Sequence, residues 1–336
     1  MSQHSEEQPH HAEANNRQAR GPTELLLAAD VARRFYLDGR SKVEIAEEFG
    51  LSRFKVARVL DLARESGIVR IDVRIPGQID AELSSALRSA YGLRRAIAVR
   101  TVSDSPQSQR SQIGAVAAEL LTEIVEEDDV LGLAWGRTLN VVLQSLTRLP
   151  RCTTVQVNGV YSQRVPSRGA VETVKRAAEL SGGTAYPIYA PLILPDPDTA
   201  RALRTDPGVA TAFSWFDRIS KAVVSIGAWS PDLSTVHDAL DPTTRDSYRE
   251  LGVRAEMSTH LFDARANEVR TDLADRVLTI GTEELRRVPE VIAMAAGEEK
   301  EEAIDIVLRT GLVSTLVTDA TVARRLVAGR EMPVEC

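Results

Sequence analysis

The chain has 336 residues, of which 43% are hydrophobic and 26% charged, and its formal net charge at pH 7 is −7. This length predicts two unequal domains, and no apolar run approaches the roughly 20 residues that span a bilayer. The N-terminus lacks the apolar core of a signal peptide, and two cysteines supply neither a disulfide framework nor a zinc-ligand cluster. We therefore expect a cytoplasmic protein without a membrane segment, structural metal or cofactor.

The acidic excess is unevenly distributed along the chain. Residues 20–75 contain 11 basic and 9 acidic residues, whereas residues 76–336 contain 29 and 36. Within residues 52–64 there are four basic residues and one acid, Asp61. A locally basic segment of this kind is what contact with nucleic-acid phosphates requires.

A winged helix-turn-helix is predicted for residues 22–76, after a polar tail over residues 1–21. The tail holds three of the five histidines, and metal binding there is the weaker alternative to a disordered segment. An apolar stripe begins a helix at Thr23, and Ser41 with Glu44 forms a capping box that begins a second helix. A tight turn over residues 50–52 precedes a third helix capped by Ser52, and residues 68–75 alternate as a wing strand.

The third helix begins with small, polar and cationic side chains, which suits entry into the DNA major groove. Arg70 and Arg74 of the predicted wing could reach phosphates. The alternative is that the two helices form an ordinary packing unit. We predict DNA contacts from six residues: Ser41, Ser52, Arg53, Phe54, Lys55 and Arg58.

From residue 78 the pattern changes to helices that alternate with short apolar strands, which predicts a Rossmann-like α/β domain with a mainly parallel sheet over residues 77–336. Helices are predicted over residues 78–90 and 111–125 and from Thr138. Strands are predicted over residues 95–99, 130–135, 153–158, 185–189, 221–227, 275–280, 290–295 and 313–317.

Ligands of such sheets bind beyond the carboxyl ends of the strands, where loops enter helices. Four loops offer backbone N–H groups, hydroxyls and cations that suit a small phosphorylated or polyhydroxylated ligand: residues 132–138, 158–164, 225–229 and 297–300. Each glycine in these loops could instead serve turn geometry. Arg137 and Lys300 could be surface ion-pair partners, and Trp135 could belong to the core.

Two further residues have competing interpretations. Asp263 follows a short apolar strand, where it could accept sugar hydroxyls or begin a turn. His260 could be a base oriented by Asp263, although a hydrogen-bonded structural histidine is the favoured interpretation. Neither a nucleotide-binding glycine loop nor a serine-nucleophile elbow is present, so the chain is poorly equipped as an enzyme.

The whole chain, over roughly residues 23–328, resembles the SorC family of bacterial sugar-responsive transcription regulators. The ordered motifs that carry the resemblance are V-A-R-R-F-Y-L-D-G-R-S-K-V-E-I-A-E-E-F-G-L-S-R-F-K-V-A-R-V-L, L-G-L-A-W-G-R-T-L, Y-P-I-Y-A-P-L-I-L, S-I-G-A-W, L-F-D-A-R and A-G-E-E-K-E-E-A-I. The resemblance implies an N-terminal winged helix-turn-helix and an effector domain similar to sugar-phosphate isomerases. It also implies dimers or tetramers and phosphorylated sugar effectors.

The resemblance places Gly136, Arg137 and Thr138 near the effector, together with Asp263 and Lys300. This chain departs from the family pattern at two loops. It has Asn158-Gly159 where relatives often have two glycines, and residues 255–259 read A-E-M-S-T where relatives often have a G-A-V-G-D-like loop.

We therefore expect a non-enzymatic DNA-binding regulator, a repressor of carbohydrate catabolic genes. Its partners would be double-stranded operator DNA, a sugar, polyol or sugar-phosphate effector, and further copies of itself in a homodimer or homotetramer. A sugar-phosphate isomerase or deaminase with an appended helical domain is the alternative. The predicted effector-binding residues are Trp135, Gly136, Arg137, Thr138, Asn158, Gly159, Gln163, Arg164, Gly227, Asp263 and Lys300.

Overall fold

A computed structural model describes residues 21–69, 78–103, 105–161 and 169–331 of the chain. The chain divides into two units between residues 74 and 75. Residues 1–20 of the polar tail, the predicted wing strand beyond Val69, and Gln163 and Arg164 lie outside the described residues.

Three helices form the described part of the first unit: α1 (Pro22–Tyr36), α2 (Lys42–Phe49) and α3 (Arg53–Glu65). The predicted capping box is present, since the Ser41 hydroxyl accepts from the Glu44 N–H and the Glu44 carboxylate accepts from the Ser41 N–H. Gly50 ends α2 in the left-handed conformation, with φ at 62°, and the Ser52 hydroxyl caps α3 by accepting from the Lys55 N–H. The local sequence therefore dictates the turn between α2 and α3.

The core of this unit lies where the three helices meet. Ala28 and Val31 of α1, Ile45 of α2 and Val56 of α3 are fully buried. Val43 of α2 is also apolar, but it is 50% exposed. In a helix of eight residues, only one side faces two partner helices, and Val43 lies off that side.

The second unit contains ten strands and eleven α-helices among its described residues. The strands are β1 (Ile79–Asp80), β2 (Arg95–Val99), β3 (Val130–Leu133), β4 (Thr153–Gln156), β5 (Ala185–Tyr186), β6 (Lys221–Ala228), β7 (Val253–Met257), β8 (His260–Asp263), β9 (Glu290–Met294) and β10 (Thr315–Asp319). The helices are α4 (Ala81–Tyr91), α5 (Pro106–Ile124), α6 (Arg137–Ser145), α7 (Ala170–Ser181), α8 (Pro197–Arg204), α9 (Pro207–Phe213), α10 (Thr235–Ala239), α11 (Pro242–Glu250), α12 (Thr282–Arg287), α13 (Glu301–Arg309) and α14 (Ala320–Glu331).

The strands form one sheet in the order β1-β2-β10-β9-β6-β3-β4-β5. Every pairing from β2 to β5 is parallel, and β1 adds an antiparallel edge. The far end of β6 leaves this sheet and pairs antiparallel with β7, which forms a hairpin with β8. The predicted α/β class with a mainly parallel sheet is thus confirmed.

Helices cover the sheet in two groups. In one group α5 contacts α6 and α6 contacts α7, and in the other α4 and α13 both contact α14. All residues of β3, β9 and β10 are buried, which is the pattern of parallel strands covered on both faces. A second, smaller apolar cluster, which includes Trp229, Val236 and Tyr248, packs beneath the β7–β8 hairpin.

Three element predictions need correction. The predicted helix over residues 78–90 begins only at Ala81, because residues 79 and 80 form β1 and Asp80 caps the helix. The predicted strand over residues 275–280 is absent, because the segment begins in a 3-10 turn (Asp272–Asp275) and makes only isolated bridges through Val277 and Thr279. Helix α5 begins at Pro106 rather than residue 111, because Ser105 caps it and Pro106 suits its first position. Hydrophobic periodicity predicted these elements, and it does not detect turn geometry, strand pairing or helix capping.

Candidate functional site

A cavity of about 1280 Å³ opens at the carboxyl ends of β3, β6 and β9. The residues after β3 and β9 line it with Gly136 to Thr138 and Gly297 to Lys300, and the last four residues of β6 line it together with Trp229. Helix α5 contributes Gln109 and Arg110, and the start of α10 contributes its N-cap Ser234 and its first residue Thr235. Strand β7 adds Arg254 and Glu256, so the lining is mostly polar and comes from five separate parts of the chain.

The sheet topology explains why the cavity forms there. The chain proceeds from β3 outward to β4 and β5, then returns to β6 on the other side of β3 and proceeds outward to β9 and β10. Connections that leave neighbouring strands in opposite directions open a crevice between them, where ligands of open α/β sheets bind. The β3–β6 pair is this switch point.

Exposure separates the charged residues of the cavity into an interior set and a rim. Asp232, Arg254, Glu298, Glu299 and Glu302 are exposed at the rim, where solvent screens them. The interior set consists of Arg110, Arg137, Lys300 and the buried Glu256. The interior therefore has three cations and one acid.

The three interior cations have few anionic partners among the described residues. Arg137 lies 3.9 Å from the Asp238 carboxylate, and the Lys300 ammonium donates to the Ile226 carbonyl at 2.9 Å. Arg110 forms no ion pair or hydrogen bond with any described residue. Burial and the Arg137 charge lower the pKa of Arg110, and the same two causes lower the pKa of Lys300 to about 8. This repulsion would be relieved by a bound anion.

The single interior acid is held by the β7–β8 hairpin. Glu256 Oε1 accepts from the Thr259 N–H at 2.8 Å, and Oε2 accepts from the Ser234 hydroxyl at 3.1 Å. Burial raises the pKa of Glu256 by more than these two hydrogen bonds and the charge of Lys300 lower it. Gly227 permits this position, because an added Cβ would lie 2.7 Å from Oε2.

Five of the predicted effector residues line the cavity: Gly136, Arg137, Thr138, Gly227 and Lys300. Gly136 precedes α6 without a side-chain cap, so the first N–H groups of that helix lack intrahelical acceptors. Arg137 and Thr138 are the first two residues of α6, so their side chains begin beside these N–H groups. The structure thus brings together residues from three of the four predicted loops.

Three other predicted residues lie behind this lining rather than in it. Trp135 is 6% exposed and stacks on Tyr161 with ring centroids 5.1 Å apart. The Asn158 side chain accepts from the Trp135 N–H at 3.1 Å, and Gly159 lies against the main chain of Pro191 and Leu192. Their positions match the core and turn-geometry alternatives, and geometry does not support effector contact.

Asp263 also lies away from the cavity. It ends β8, and its carboxylate accepts from the Arg265 and Asn267 N–H groups at 2.8 Å, which holds a tight turn. His260 is not oriented by Asp263, because its ring contacts Glu268 and the Ile280 carbonyl, each at 2.9 Å. The histidine is therefore a hydrogen-bonded structural residue, and the carboxylate caps a turn.

Sequence reasoning missed Arg110, Ser234 and Glu256. Arg110 lies just before the predicted helix over residues 111–125 with no glycine loop near it, so no local motif identifies it. Glu256 falls in the loop that departs from the family pattern, and that departure was the available signal. Only the pairing of β6 with β7 shows that this loop meets the cavity.

In the first unit, the residues predicted to contact DNA share one exposed surface. Arg53, Phe54, Lys55 and Arg58 of α3 are all exposed, and Phe54 is 80% exposed. Among the described residues, the side chains of the three cations form no ion pair.

Three other cations of this unit are paired: Arg34 and Arg40 contact Glu48, and Arg64 contacts Asp61. Arg33 of α1 and Lys42 of α2 form no ion pair with the described residues. Three of the five unpaired cations in the described part of the unit therefore lie on the amino-terminal half of α3. Among the helices that the structure describes, none is long and apolar enough to cross a lipid bilayer.

Comparison with known proteins shows the family. The family model described as "Putative sugar-binding domain" matches residues 77–328. The chain belongs to this family, whose members include SorC-type regulators. It is a transcription regulator with a sugar-binding effector domain, and the enzyme alternative is not supported.

Individual relatives match over almost the whole chain. An uncharacterized transcriptional regulator, YjhU of Escherichia coli K12, is 28% identical over 88% of this chain and 92% of its own length. The sorbitol operon regulator of Klebsiella pneumoniae is 25% identical over 90% of this chain and 98% of its own length. The crystal structure of full-length SorC from K. pneumoniae superimposes with a TM-score of 0.70, at 24% identity, over 91% of this chain and 99% of that one, which confirms the fold.

Proposed function

We propose that this regulator is a repressor that binds operator DNA through α3 and responds to a phosphorylated sugar or polyol in the cavity. The observation that carries the effector assignment is the interior group of Arg110, Arg137 and Lys300, three cations that face one acid. A sugar-binding domain that recognised only neutral hydroxyls would have no need for this excess of positive charge.

A phosphate group fits the cations in both charge and geometry. A phosphate monoester carries about −1.5 to −2 charge at pH 7, and arginine binds it with two parallel N–H donors. Arg137 lies close enough for its charge to lower the pKa of Arg110, and the uncapped start of α6 adds backbone donors beside Arg137. We place the phosphate between α5 and the start of α6.

The DNA assignment rests on the exposed surface of α3. Its three unpaired cations supply phosphate contacts, while Ser52 and Phe54 lie at the end of the helix that would meet base edges. Two such helices, spaced one DNA turn apart, would bind paired half-sites far more tightly than one. We therefore propose a homodimer or homotetramer that acts on a palindromic operator in the cytoplasm.

Effector control requires that the ligand bind the DNA-competent and DNA-incompetent states with different affinity. The test is fluorescence anisotropy on an operator that is selected from random duplexes with the full-length protein. A panel of sugar and polyol phosphates is then titrated into the complex, with the free sugars and polyols as a matched series.

We expect a phosphorylated compound to release the DNA at concentrations at which its free counterpart does not. Arg110→Ala should weaken this response at least tenfold without changing DNA affinity in the absence of effector. Arg176→Ala, which removes an exposed cation of α7, is the control. Equal responses to the phosphorylated and free series would contradict the phosphate assignment, and turnover of a phosphosugar without DNA binding would overturn the regulator assignment.

A further inference from the structure

We infer that the outward face of α1 pairs with the same face of α1 in a second copy of this chain, antiparallel and about a two-fold axis. This inference rests on the proposed homodimer or homotetramer, and it names the surface that joins two DNA-binding units. The surface, which we call the α1 stripe, consists of four exposed residues: Leu26, Asp30, Arg33 and Leu37. Leu26 is 67% exposed and Leu37 is 79% exposed, so two large apolar side chains of a small unit face solvent.

The residues of the α1 stripe lie on one side of the helix. Their spacings of four, three and four residues keep them within an arc of about 60°, because each residue of an α-helix turns by about 100°. Leu37 follows the last residue of α1 but keeps helical geometry, since its N–H donates to the Arg33 carbonyl at 2.9 Å. The buried residues Ala28, Val31 and Ala32 lie on the opposite side, where α2 and α3 pack.

The α1 stripe is complementary to itself when two copies run antiparallel. The midpoint between Leu26 and Leu37 falls between residues 31 and 32, and so does the midpoint between Asp30 and Arg33. An antiparallel pair centred there sets Leu26 against the partner's Leu37. It also sets Asp30 against the partner's Arg33, and each contact occurs twice, as in an isologous interface. A parallel pair would instead set like charges against each other.

Both charges of the α1 stripe are available for these contacts. The side chains of Asp30 and Arg33 form no ion pair or hydrogen bond with any residue that the structure describes. The neighbouring Arg34, by contrast, is paired with Asp38 and Glu48. The α1 stripe is thus apolar at its two ends and complementary in charge at its centre, which favours a second copy as the occupant over an unrelated protein.

The pairing also gives a spacing of recognition helices that suits DNA. Because α3 packs on the buried side of α1, the order across the interface is α3, α1, the partner's α1 and the partner's α3. Packed helices lie about 8–10 Å apart, which puts the two α3 helices roughly 24–30 Å apart. Major grooves one DNA turn apart are separated by about 34 Å, which is of the same order. The α1 stripe would thus couple two α3 helices on paired half-sites.

The first test places cysteines on the α1 stripe of the full-length protein, in a Cys336→Ser background. Residues 26 and 37 are about 16 Å apart along one helix, which is too far for a disulfide within a chain. After mild oxidation, the variant that combines Leu26→Cys with Leu37→Cys should give a disulfide-linked dimer on a non-reducing gel. Either substitution alone should give little dimer. Leu26→Cys combined with Val43→Cys, at an exposed residue of α2, is the control.

The second test exchanges charges between copies. Asp30→Arg leaves only cations at the centre of the α1 stripe, and Arg33→Asp leaves only acids. Each homo-oligomer should bind a palindromic operator at least fivefold more weakly than wild type, because two ion pairs become repulsive. Co-expression of the two chains with different tags, and purification on both, should restore most of the affinity. Charges within each chain stay alike in this mixture, so recovery identifies contact between copies.

The two proposals fail in different ways. A monomer in solution, measured by mass photometry, would overturn the homo-oligomer itself. An oligomer whose double cysteine variant does not cross-link, with or without operator DNA, would overturn the α1 pairing and leave the assignment of α3 to DNA intact. Cross-linking of a single variant or of the control as efficient as that of the double variant would also overturn the antiparallel pairing, and so would a mixture that binds no better than the two homo-oligomers.

Discussion

Removal of the unpaired positive charge on α3 should change how DNA binding depends on salt. Arg53, Lys55 and Arg58 are exposed and form no ion pair with the described residues, so each can neutralise one phosphate. A dimer then makes about six phosphate contacts, and the logarithm of its affinity should fall with the logarithm of salt concentration with a slope of about −5. Between 50 and 200 mM salt, the wild-type affinity should therefore drop roughly 1,000-fold.

The double variant Lys55→Ala, Arg58→Ala removes about four of these six contacts. Its slope should be about −2, so that the same change in salt costs only roughly tenfold in affinity. Arg64→Ala is the matched control, because this cation belongs to the same helix but is already paired with Asp61. Anisotropy titrations at five salt concentrations measure all three slopes.

An unchanged slope in the double variant would refute the argument, because it would place the phosphate contacts elsewhere in the protein. A slope that falls equally in Arg64→Ala would show that pairing with an acid does not exclude a cation from the interface. Weaker affinity with an unchanged slope would instead indicate that the two side chains act through the fold.

Three further predictions follow from the described residues. Effector affinity should decrease as the pH rises through about 8, because the bound anion needs Lys300 to be protonated and raises the pKa of that lysine. Calorimetry between pH 6.5 and 9.5 should show this loss of affinity in wild type but not in Lys300→Met. Phe54 is an exposed aromatic side chain at the start of α3, where it is suited to contact a thymine methyl group. Replacement of one operator thymine per half-site by deoxyuracil should therefore weaken binding severalfold in wild type but not in Phe54→Ala. Equal losses in both proteins would contradict this contact. Gly159→Ala should destabilise the fold by about 1–3 kcal/mol in urea unfolding, since the added Cβ would lie 2.7 Å from neighbouring main chain. Gly329→Ala is the control, because this glycine of α14 has open space around it and the substitution should be neutral or stabilising.

Without effector, the contribution of Lys300 to the stability of the protein should change with pH in the opposite direction to effector affinity. Its pKa is lower in the folded state than in the unfolded chain, so the unfolded state binds more protons between about pH 8 and the ordinary lysine range. The contribution of Lys300 to the free energy of unfolding therefore rises with pH across that window. Urea denaturation of wild type and Lys300→Met at pH 7.5 and pH 9.5 measures the difference between the two proteins.

Local sequence signals were sufficient for the helix-turn-helix and for most strands. The Ser41–Glu44 capping box, left-handed Gly50 and the Ser52 cap each depend on residues no more than four positions apart, so their chemistry is visible in the chain itself. The same holds for Arg137 and Thr138, because a glycine after a buried strand and before a helix marks a ligand-binding turn. Loop motifs also placed Gly227 and Lys300 correctly at the cavity.

Local signals did not distinguish loops that line the cavity from loops that only resemble them. Asp263 and Asn158 follow strands as the cavity residues do, but their side chains satisfy neighbouring N–H groups and lie outside it. Conversely, Arg110 comes from the amino-terminal part of α5, just before the predicted helix over residues 111–125, and carries no motif. Its role depends on α5 lying beside α6, which is a long-range packing relation.

The sequence alone thus established the helix-turn-helix, the alternation of strands with helices and the distribution of charge, because these follow from local periodicity, capping and composition. The strand order was beyond its reach, since parallel pairing joins segments far apart in the chain. That order brings the ends of β3, β6 and β9 together and directs the β7–β8 hairpin toward them. Tertiary structure therefore selected Arg110, Arg137, Lys300 and Glu256 as the interior charges, because their proximity depends on how the sheet is assembled.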